Sequence, residues 1–209
     1  MKTKILALAA ISLMICSCDP VEEYQANKCI APLPAGVAVD SLIDCTVPAS
    51  FSCDDFNWMG GNLTMTVYSQ DLYDAVEVTQ LQKGDTIIYE SKPMVIDSIS
   101  DNDGFLTING GLEEGGCYLQ GYEGGTYRAV QFDDHSIYTE LGKEELPLAE
   151  DFIIIDCGIN PDDPSDTIRT DQKLYLESLE DYKKVFFNLN TTVVITNGVI
   201  TEINRKWIP

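Results

Sequence analysis

Basic residues and histidine are scarce in this sequence of 209 residues. Lysine and arginine together number 13, aspartate and glutamate number 34, and there is one histidine, so the net charge is −21 at pH 7. A surface this acidic repels the phosphate backbone of nucleic acids, which excludes DNA and RNA as partners. No CxxC spacing occurs, and a zinc site is therefore not expected. No cofactor is predicted.

Signatures of nucleophilic catalysis are also missing. There is no GxSxG motif, and a histidine-based site would have to use His135, which follows Asp133 and Asp134, together with Cys117, Cys157 or a serine. A plain surface turn explains the Asp-Asp-His triplet better. Paired carboxylates can hydrolyse glycans, but among 34 acidic residues a pair carries little information. No catalytic residue is assigned.

Long apolar runs are absent after residue 15. The one run, residues 5–15, is preceded by Lys2 and Lys4. It is shorter than the roughly 20 residues that a helix needs to span a bilayer, and its length and flanking charges are typical of a signal peptide. We therefore expect export from the cytoplasm.

The run ends in Ile15-Cys16-Ser17-Cys18. This segment resembles the lipobox of bacterial lipoproteins, in which an aliphatic, a variable and a small residue precede the cysteine that receives the lipid. The resemblance covers the start of the chain alone. It implies cleavage after residue 17, lipid attachment at Cys18 and a mature chain of 209 − 17 = 192 residues held at a membrane by acyl chains such as palmitate. The alternative is a signal peptide without a lipid.

Four Asp-Ser/Thr-aliphatic triplets begin at residues 40, 85, 97 and 166. They are similar to the O-glycosylation motif of exported proteins of the Bacteroidota, and that similarity implies Thr167 and Ser41 as acceptors. The acidic residues directly after Cys18 also resemble the surface-export tethers of that phylum. Together these resemblances imply an outer-membrane lipoprotein, on the surface or on the periplasmic face.

Five cysteines follow the lipobox, namely Cys29, Cys45, Cys53, Cys117 and Cys157. Export permits disulfides, and an odd number leaves at least one thiol without a partner in the chain. Cys45 and Cys53 are close in sequence, so one alternative joins them to each other or joins one of them to Cys29. Another alternative is a bridge from Cys117 to Cys157 across neighbouring strands.

Two acid-rich segments could attract calcium, which prefers several oxygen ligands. Residues 101–104 (Asp-Asn-Asp-Gly) lack the EF-hand pattern, and tight-turn chemistry explains them. Asp162, Asp163 and Asp166 lie in a polar stretch stiffened by prolines and are the better candidates of the two sets. We predict no metal site from either.

Alternation of polar and apolar residues predicts strands along most of the chain from residue 63. The predicted strands are 63–68, 75–81, 85–90, 94–99, 105–109, 117–122, 126–132, 137–141, 152–155 and a hairpin over 192–203 that turns at Asn197-Gly198. Ser178 is a capping residue for one short helix near residues 179–187. The pattern predicts an all-β fold, a sandwich or small open barrel of about ten short strands.

We expect a signal peptide over 1–17, a lipidated tether and irregular lead-in over 18–50, and a single β-rich domain over 51–209. An anchored β-domain without a catalytic motif favours a non-catalytic binding module for a glycan or an envelope protein, or for a peptide. The alternative is a carboxylate-based hydrolase that acts on a glycan or peptide. A protease inhibitor or adhesin-like module is a third hypothesis.

Overall fold

The computed structural model describes residues 27–157, 168–206 and 208. This part of the chain is dominated by β-structure and contains two short α-helices, α1 (Ala75–Thr79) and α2 (Gln172–Ser178). The predicted all-β class is confirmed. The strands are β1 (Cys29–Ile30), β2 (Cys45–Ser52), β3 (Phe56–Asn57), β4 (Asn62–Gln70), β5 (Leu72–Asp74), β6 (Thr86–Tyr89), β7 (Lys92–Val95), β8 (Ile99–Asn102), β9 (Phe105–Ile108), β10 (Cys117–Tyr122), β11 (Thr126–Val130), β12 (Tyr138–Asp156), β13 (Ile168–Arg169), β14 (Val185–Phe186), β15 (Thr191–Thr196) and β16 (Val199–Arg205).

Five strands close into a ring, here called the barrel. Its order is β2-β4-β12-β16-β15 and back to β2. All neighbours are antiparallel except β12 and β16, which are parallel. Along the chain, α2 lies between β12 and β15, which are the third and fourth barrel strands in sequence order. The barrel therefore has the connectivity of the OB-fold, a five-stranded Greek-key barrel. Closure leaves the ring without a free edge of its own.

The barrel core follows from period-2 alternation along its strands. In β2 the alternate residues Val47, Ala49 and Phe51 are buried, and β4 buries alternate residues in the same way. Two leucines of α2 and its end, Leu176 and Leu179, pack into the same core. The helix therefore contributes to the apolar interior of the barrel.

The strand β12 is 19 residues long and pairs with two neighbouring barrel strands. Its first half pairs with β4 and its second half with β16. The register shifts between Glu140 and Gly142, and Gly142 has a φ of 145°, so a bulge occurs where glycine is tolerated. The sequence predicted two separate strands here, at 137–141 and 152–155. They are one bent strand, because residues between them continue the ladder.

Residues 71–137, here called the inserted region, lie between the second and third barrel strands. They form the five-stranded antiparallel sheet β5-β11-β10-β9-β8 and two strands of the sheet β1-β6-β7. A second apolar core fills this region and includes Tyr73, Ile87 and Leu119. β1 pairs in parallel with β6 and buries Ile30 in the second core. Among the described residues, regular structure is thus present from Cys29 onward, within the predicted lead-in.

Two local predictions are wrong. Residues 75–81 alternate like a strand but begin with α1, because the Asp74 carboxylate accepts hydrogen bonds from the amides of Val76 (2.8 Å) and Glu77 (3.0 Å) and so caps a helix. The second helix lies at Gln172–Ser178 rather than 179–187, because Asp171 and not Ser178 provides the N-cap. Residues 179–187 hold a 3₁₀ turn and β14 instead.

No α-helix in the described ranges is both long enough and apolar enough to cross a membrane. The predicted signal peptide, residues 1–17, and Cys18 lie outside the described residues.

Candidate functional site

Three aromatic rings meet where the connection between β2 and β4 approaches β12. Phe56 and Phe152 are buried, and Trp58 is half-buried beside them. The Trp58 ring stacks on Phe56 with centroids 4.9 Å apart and planes within 7°, and its centroid is 6.4 Å from that of Phe152. We call these three residues the Trp58 platform. Because two buried rings support the indole, its orientation is fixed before any ligand arrives.

The connection that carries Trp58 is itself well braced. The Ser52 amide donates to the Asp55 carboxylate (2.6 Å), and the Asp54 amide donates to the Ser52 hydroxyl (3.3 Å), which makes a capping box. After the tryptophan, the Gly60 amide donates to the side-chain oxygen of Asn57 (3.0 Å). The short loop is therefore held from both sides of Trp58.

Two cavities flank the platform and share Trp58 and Lys173. One, of about 330 Å³, is lined in addition by Cys53, Asp54, Phe56, Leu176, Glu177 and Lys184. The other, of about 420 Å³, is lined by Glu150, Asp151, Phe152, Ile153, Thr170, Asp171 and Gln172. An aromatic surface is thus surrounded by carboxylates, ammonium groups and one amide. Such a mixture of apolar contact and a few polar groups is typical of small-molecule sites.

One polar atom at this site has no hydrogen-bond partner among the described residues. Gln172 is 9% exposed and lines the larger of the two cavities. Its side-chain nitrogen donates to the Arg169 carbonyl (2.5 Å), but its side-chain oxygen is buried and accepts no hydrogen bond from any described residue. An unsatisfied buried acceptor costs about 1–3 kcal/mol. A hydroxyl or N–H group of a ligand would remove that cost.

A buried ion pair ties α2 to the barrel near this site. Arg205, on β16, donates from Nε to an Asp156 carboxylate oxygen at the end of β12 (2.8 Å) and makes a second contact through Nη2. The Tyr175 hydroxyl, on α2, donates to the same carboxylate (2.6 Å). Burial, with the hydrogen bond to Asp156 as the second cause, raises the pKa of Tyr175 to about 12. The position of α2, which carries Gln172 and Lys173, is therefore fixed relative to the barrel.

His135 and its neighbours form a turn. Asp133 and Asp134 both have φ near 60°, and the His135 carbonyl accepts from the Gln131 amide (2.7 Å). The turn interpretation is confirmed. In the part of the chain that the structure describes, no hydrogen bond joins the His135 imidazole to a thiol or hydroxyl. Burial raises the pKa of Cys117 to about 12, so this thiol is a poor nucleophile.

Among the described residues, Cys29, Cys45, Cys53 and Cys117 are thiols, so the disulfides considered above are not formed there. Cys45 begins β2 and Cys53 directly follows it, so eight residues of extended chain, roughly 26 Å, separate them, and a disulfide needs Cα atoms within about 7 Å. Cys29 lies in β1 and is a free thiol. Cys117 is a buried thiol in the second core, whereas Cys157 follows β12 of the barrel.

Only some of the predictions for the acid-rich segments and the glycosylation sites fall on residues that the structure describes. Asp103 and Gly104 have φ of 54° and 81°, and the Gly104 amide donates to Asp101 (3.0 Å), so this segment is the predicted tight turn. Ser41 ends a 3₁₀ turn and is exposed. Asp162, Asp163, Asp166 and Thr167 lie outside the described residues. Within residues 27–157 and 168–206, no group of three or more His, Cys, Asp or Glu side chains is arranged to hold a metal ion.

The Trp58 platform was missed by sequence reasoning. Phe56 and Phe152 are about 100 residues apart in the sequence, and only barrel closure brings them together. The available signal was the odd position of a tryptophan in a Gly- and Asn-rich loop. Comparison with protein-family models, with curated proteins and with solved structures finds no match to this chain.

Proposed function

We propose that the protein is a lipid-anchored, non-catalytic glycan-binding module whose binding site is the Trp58 platform with its two flanking cavities. The observation that carries the proposal is the unpartnered Gln172 oxygen beside a braced, half-buried tryptophan. The C–H groups of a pyranose ring form an apolar face that an indole can cover, and its hydroxyl groups are donors that an orphaned acceptor requires.

The position on the barrel supports this proposal. OB-fold barrels that bind oligonucleotides or oligosaccharides use the second and third strands and the loop between the first and second. Trp58 lies in the loop between the first and second barrel strands, and Phe152 lies on the third. Fold alone does not establish function. The fold supports the proposal because the platform lies at the strands and the loop that bind ligands in other barrels of this kind.

Charge restricts the class of glycan. Of the two ligand classes that such barrels bind, nucleic acids are disfavoured by the net charge of −21. The same repulsion acts on polyuronic or sulfated glycans. Glu150, Asp151 and Asp171 around the larger cavity are well suited to accept hydrogen bonds from sugar hydroxyls. A neutral oligosaccharide is therefore the best-fitting ligand.

The proposal places this module at the outer membrane through Cys18. Such attachment would make the membrane the first partner of the protein and leave the barrel free to bind glycans or glycosylated envelope proteins. The carboxylate-based hydrolase is the remaining alternative, since several carboxylates line the same cavity. Appearance of new reducing ends during incubation with the oligosaccharide would identify a hydrolase.

Replacement of Trp58 by alanine is expected to weaken oligosaccharide binding at least tenfold, because the apolar surface for the sugar ring is lost. Purified protein is titrated with neutral gluco-, manno- and chito-oligosaccharides, and binding is followed by calorimetry. Gln172→Ala is expected to reduce affinity by a smaller factor, since one hydrogen bond is removed.

The control is Phe132→Ala, which removes an aromatic ring that is 57% exposed in the inserted region, far along the chain from the platform. We expect unchanged affinity for this control. Equal binding by wild type and Trp58→Ala, or loss of binding in Phe132→Ala alone, would show that the platform is not the glycan site.

A separate experiment tests the anchor. In a bacterial host with the lipoprotein pathway, Cys18→Ala is expected to lose acylation by mass spectrometry and to move from the membrane fraction to the soluble fraction. Cys16→Ala is the control and should remain acylated. Membrane retention of the Cys18→Ala protein would contradict lipid attachment at this residue.

A further inference from the structure

A second cleft lies between the barrel and the inserted region. It consists of two adjoining cavities, of about 510 and 230 Å³, that share Ser91 and Thr139 as lining residues. The smaller cavity has an apolar wall that includes Pro32, Leu33, Ile88 and Leu141. Clefts between two packed units are common places for small ligands. This cleft is distinct from the Trp58 platform.

Asp71 lines the smaller cavity and is 1% exposed. Its backbone is fixed, because its amide donates to the Ile137 carbonyl (2.9 Å) and its carbonyl accepts from the Ala129 amide (3.0 Å). One carboxylate oxygen accepts from the Thr139 hydroxyl (2.8 Å). The other oxygen, Oδ2, is buried and accepts no hydrogen bond within the part of the chain that the structure describes. Since buried carboxylates normally have partners, Asp71 carries an unfilled acceptor position.

The charges around the cleft are negative. Glu90 and Glu140 line the larger cavity, and no described lysine, arginine or histidine lines either cavity. Arg128 reaches the neighbourhood through Ser136, but its other hydrogen bonds go to Gln120. Burial raises the pKa of Asp71, and repulsion by Glu90 adds to this effect. The ionised carboxylate therefore lacks a compensating cation.

The hairpin tip at the mouth of the cleft is strained. Glu90 and Ser91 have φ of 47° and 61°, in the left-handed region that favours glycine or asparagine. Backbone strain of this kind concentrates at ligand sites. Both residues line the cleft. The unusual turn places one carboxylate and one hydroxyl there.

We propose that this cleft binds a small organic ammonium ion, with its apolar chain in the 230 Å³ cavity and its NH₃⁺ group donating to Asp71 Oδ2. The volume equals that of about seven or eight water molecules, which suits a short alkyl amine or the amino terminus of a peptide with an aliphatic first residue. The ammonium group supplies the donor that Asp71 lacks and neutralises a buried charge. The carboxylates at the mouth attract the cation.

The test uses purified protein and two probes of the same size, n-butylammonium chloride and n-butanol. Binding is followed at pH 7 by amide chemical shifts of Leu33, Ile88 and Thr139. We expect saturable shifts with the amine and at least tenfold weaker binding of the alcohol. Asp71→Asn is expected to weaken amine binding at least tenfold, and Asp97→Asn, which removes an exposed carboxylate of the same type, is expected to leave it unchanged.

Asp71→Asn is expected to fold with an unchanged or higher Tm, because the amide has no buried charge to solvate. Ala35→Leu, which fills the cavity without changing charge, gives an independent test and should also weaken binding. The proposal would be overturned if the amine and the alcohol bound with equal affinity, or if wild type, Asp71→Asn and Ala35→Leu bound the amine equally well. Non-saturating chemical shift changes spread over exposed acidic residues would also overturn it. None of these outcomes bears on the Trp58 platform.

Discussion

Replacement of Asp156 by asparagine is expected to lower the free energy of unfolding by about 3–5 kcal/mol. Asp156 is fully buried and Arg205 is 4% exposed, so the variant leaves the guanidinium charge without its counter-ion inside the protein. Urea unfolding followed by far-UV circular dichroism measures the change. The expected loss is a large part of the 5–15 kcal/mol that stabilises a typical domain.

The expected decrease in the free energy of unfolding arises from the unpaired charge of Arg205 and not from the loss of one attractive contact. Arg205 also donates to the carbonyls of Lys183 (2.6 Å) and Val185 (3.4 Å) and lies over the Phe186 ring at 4.2 Å. These contacts remain in Asp156→Asn but cannot balance a buried positive charge. Tyr175→Phe removes one hydrogen bond to the carboxylate and should cost less, about 1.5–3 kcal/mol.

The matched control is the double variant Asp156→Leu/Arg205→Met. Replacement of a whole buried ion pair by apolar residues is often neutral or stabilising, so the double variant should be more stable than Asp156→Asn. Contradiction would come from a single variant within about 1 kcal/mol of wild type, or from a double variant that is less stable than the single one.

Much of the fold was predictable from local pattern. The hairpin at Asn197-Gly198 was found because both turn residues adopt positive φ, 52° and 76°, and Asn-Gly suits that geometry. Strand β4 was found because its alternation is regular over nine residues. α1 was missed because Val76, Val78 and Thr79 favour strands, and one capping aspartate outweighs that preference.

Connectivity was not predictable from the same patterns. Alternation shows that a strand has a buried face, but it does not show which strand is its neighbour. The chain leaves the barrel after Gln70, forms the inserted region and re-enters at Tyr138. The parallel pairing of β12 with β16 then depends on contacts about 50 residues apart, such as Ile154 with Ile203. Local propensity carries no information on such pairs.

The candidate sites depend on that connectivity. Asp71 looked like one of many acids, and its distinction is the buried oxygen without a donor. Gln172 was not a candidate at all, because an isolated glutamine has no sequence signature. Trp58 and Phe152 become neighbours through pairing of β12 and β4, together with the loop before β4. Both proposed sites are thus properties of the assembled barrel and inserted region.

Leu119→Ala is expected to destabilise the whole described structure by about 3 kcal/mol, within the 2–5 kcal/mol range for such changes in a core. Leu119 is fully buried in the second core, on β10. We expect the barrel to unfold together with the inserted region, because only Asp71 separates β4 from β5 and Ile137 directly precedes β12. Two side-chain hydrogen bonds also join the barrel to the inserted region: the Thr139 hydroxyl donates to the Asp71 carboxylate (2.8 Å), and the Gln70 amide donates to the Ser136 hydroxyl (2.9 Å).

In a Trp207→Phe background Trp58 is the one remaining tryptophan, so the tryptophan fluorescence then follows unfolding of the barrel alone. Urea unfolding followed by Trp58 fluorescence and by far-UV circular dichroism should give coincident midpoints, both lowered by Leu119→Ala. Leu174→Ala, at a position that is 63% exposed on α2, is the control and should change stability by no more than about 0.5 kcal/mol. A Trp58 transition that stays unchanged in Leu119→Ala would mean that the inserted region unfolds independently, and residues 51–209 would then comprise two cooperative units rather than one.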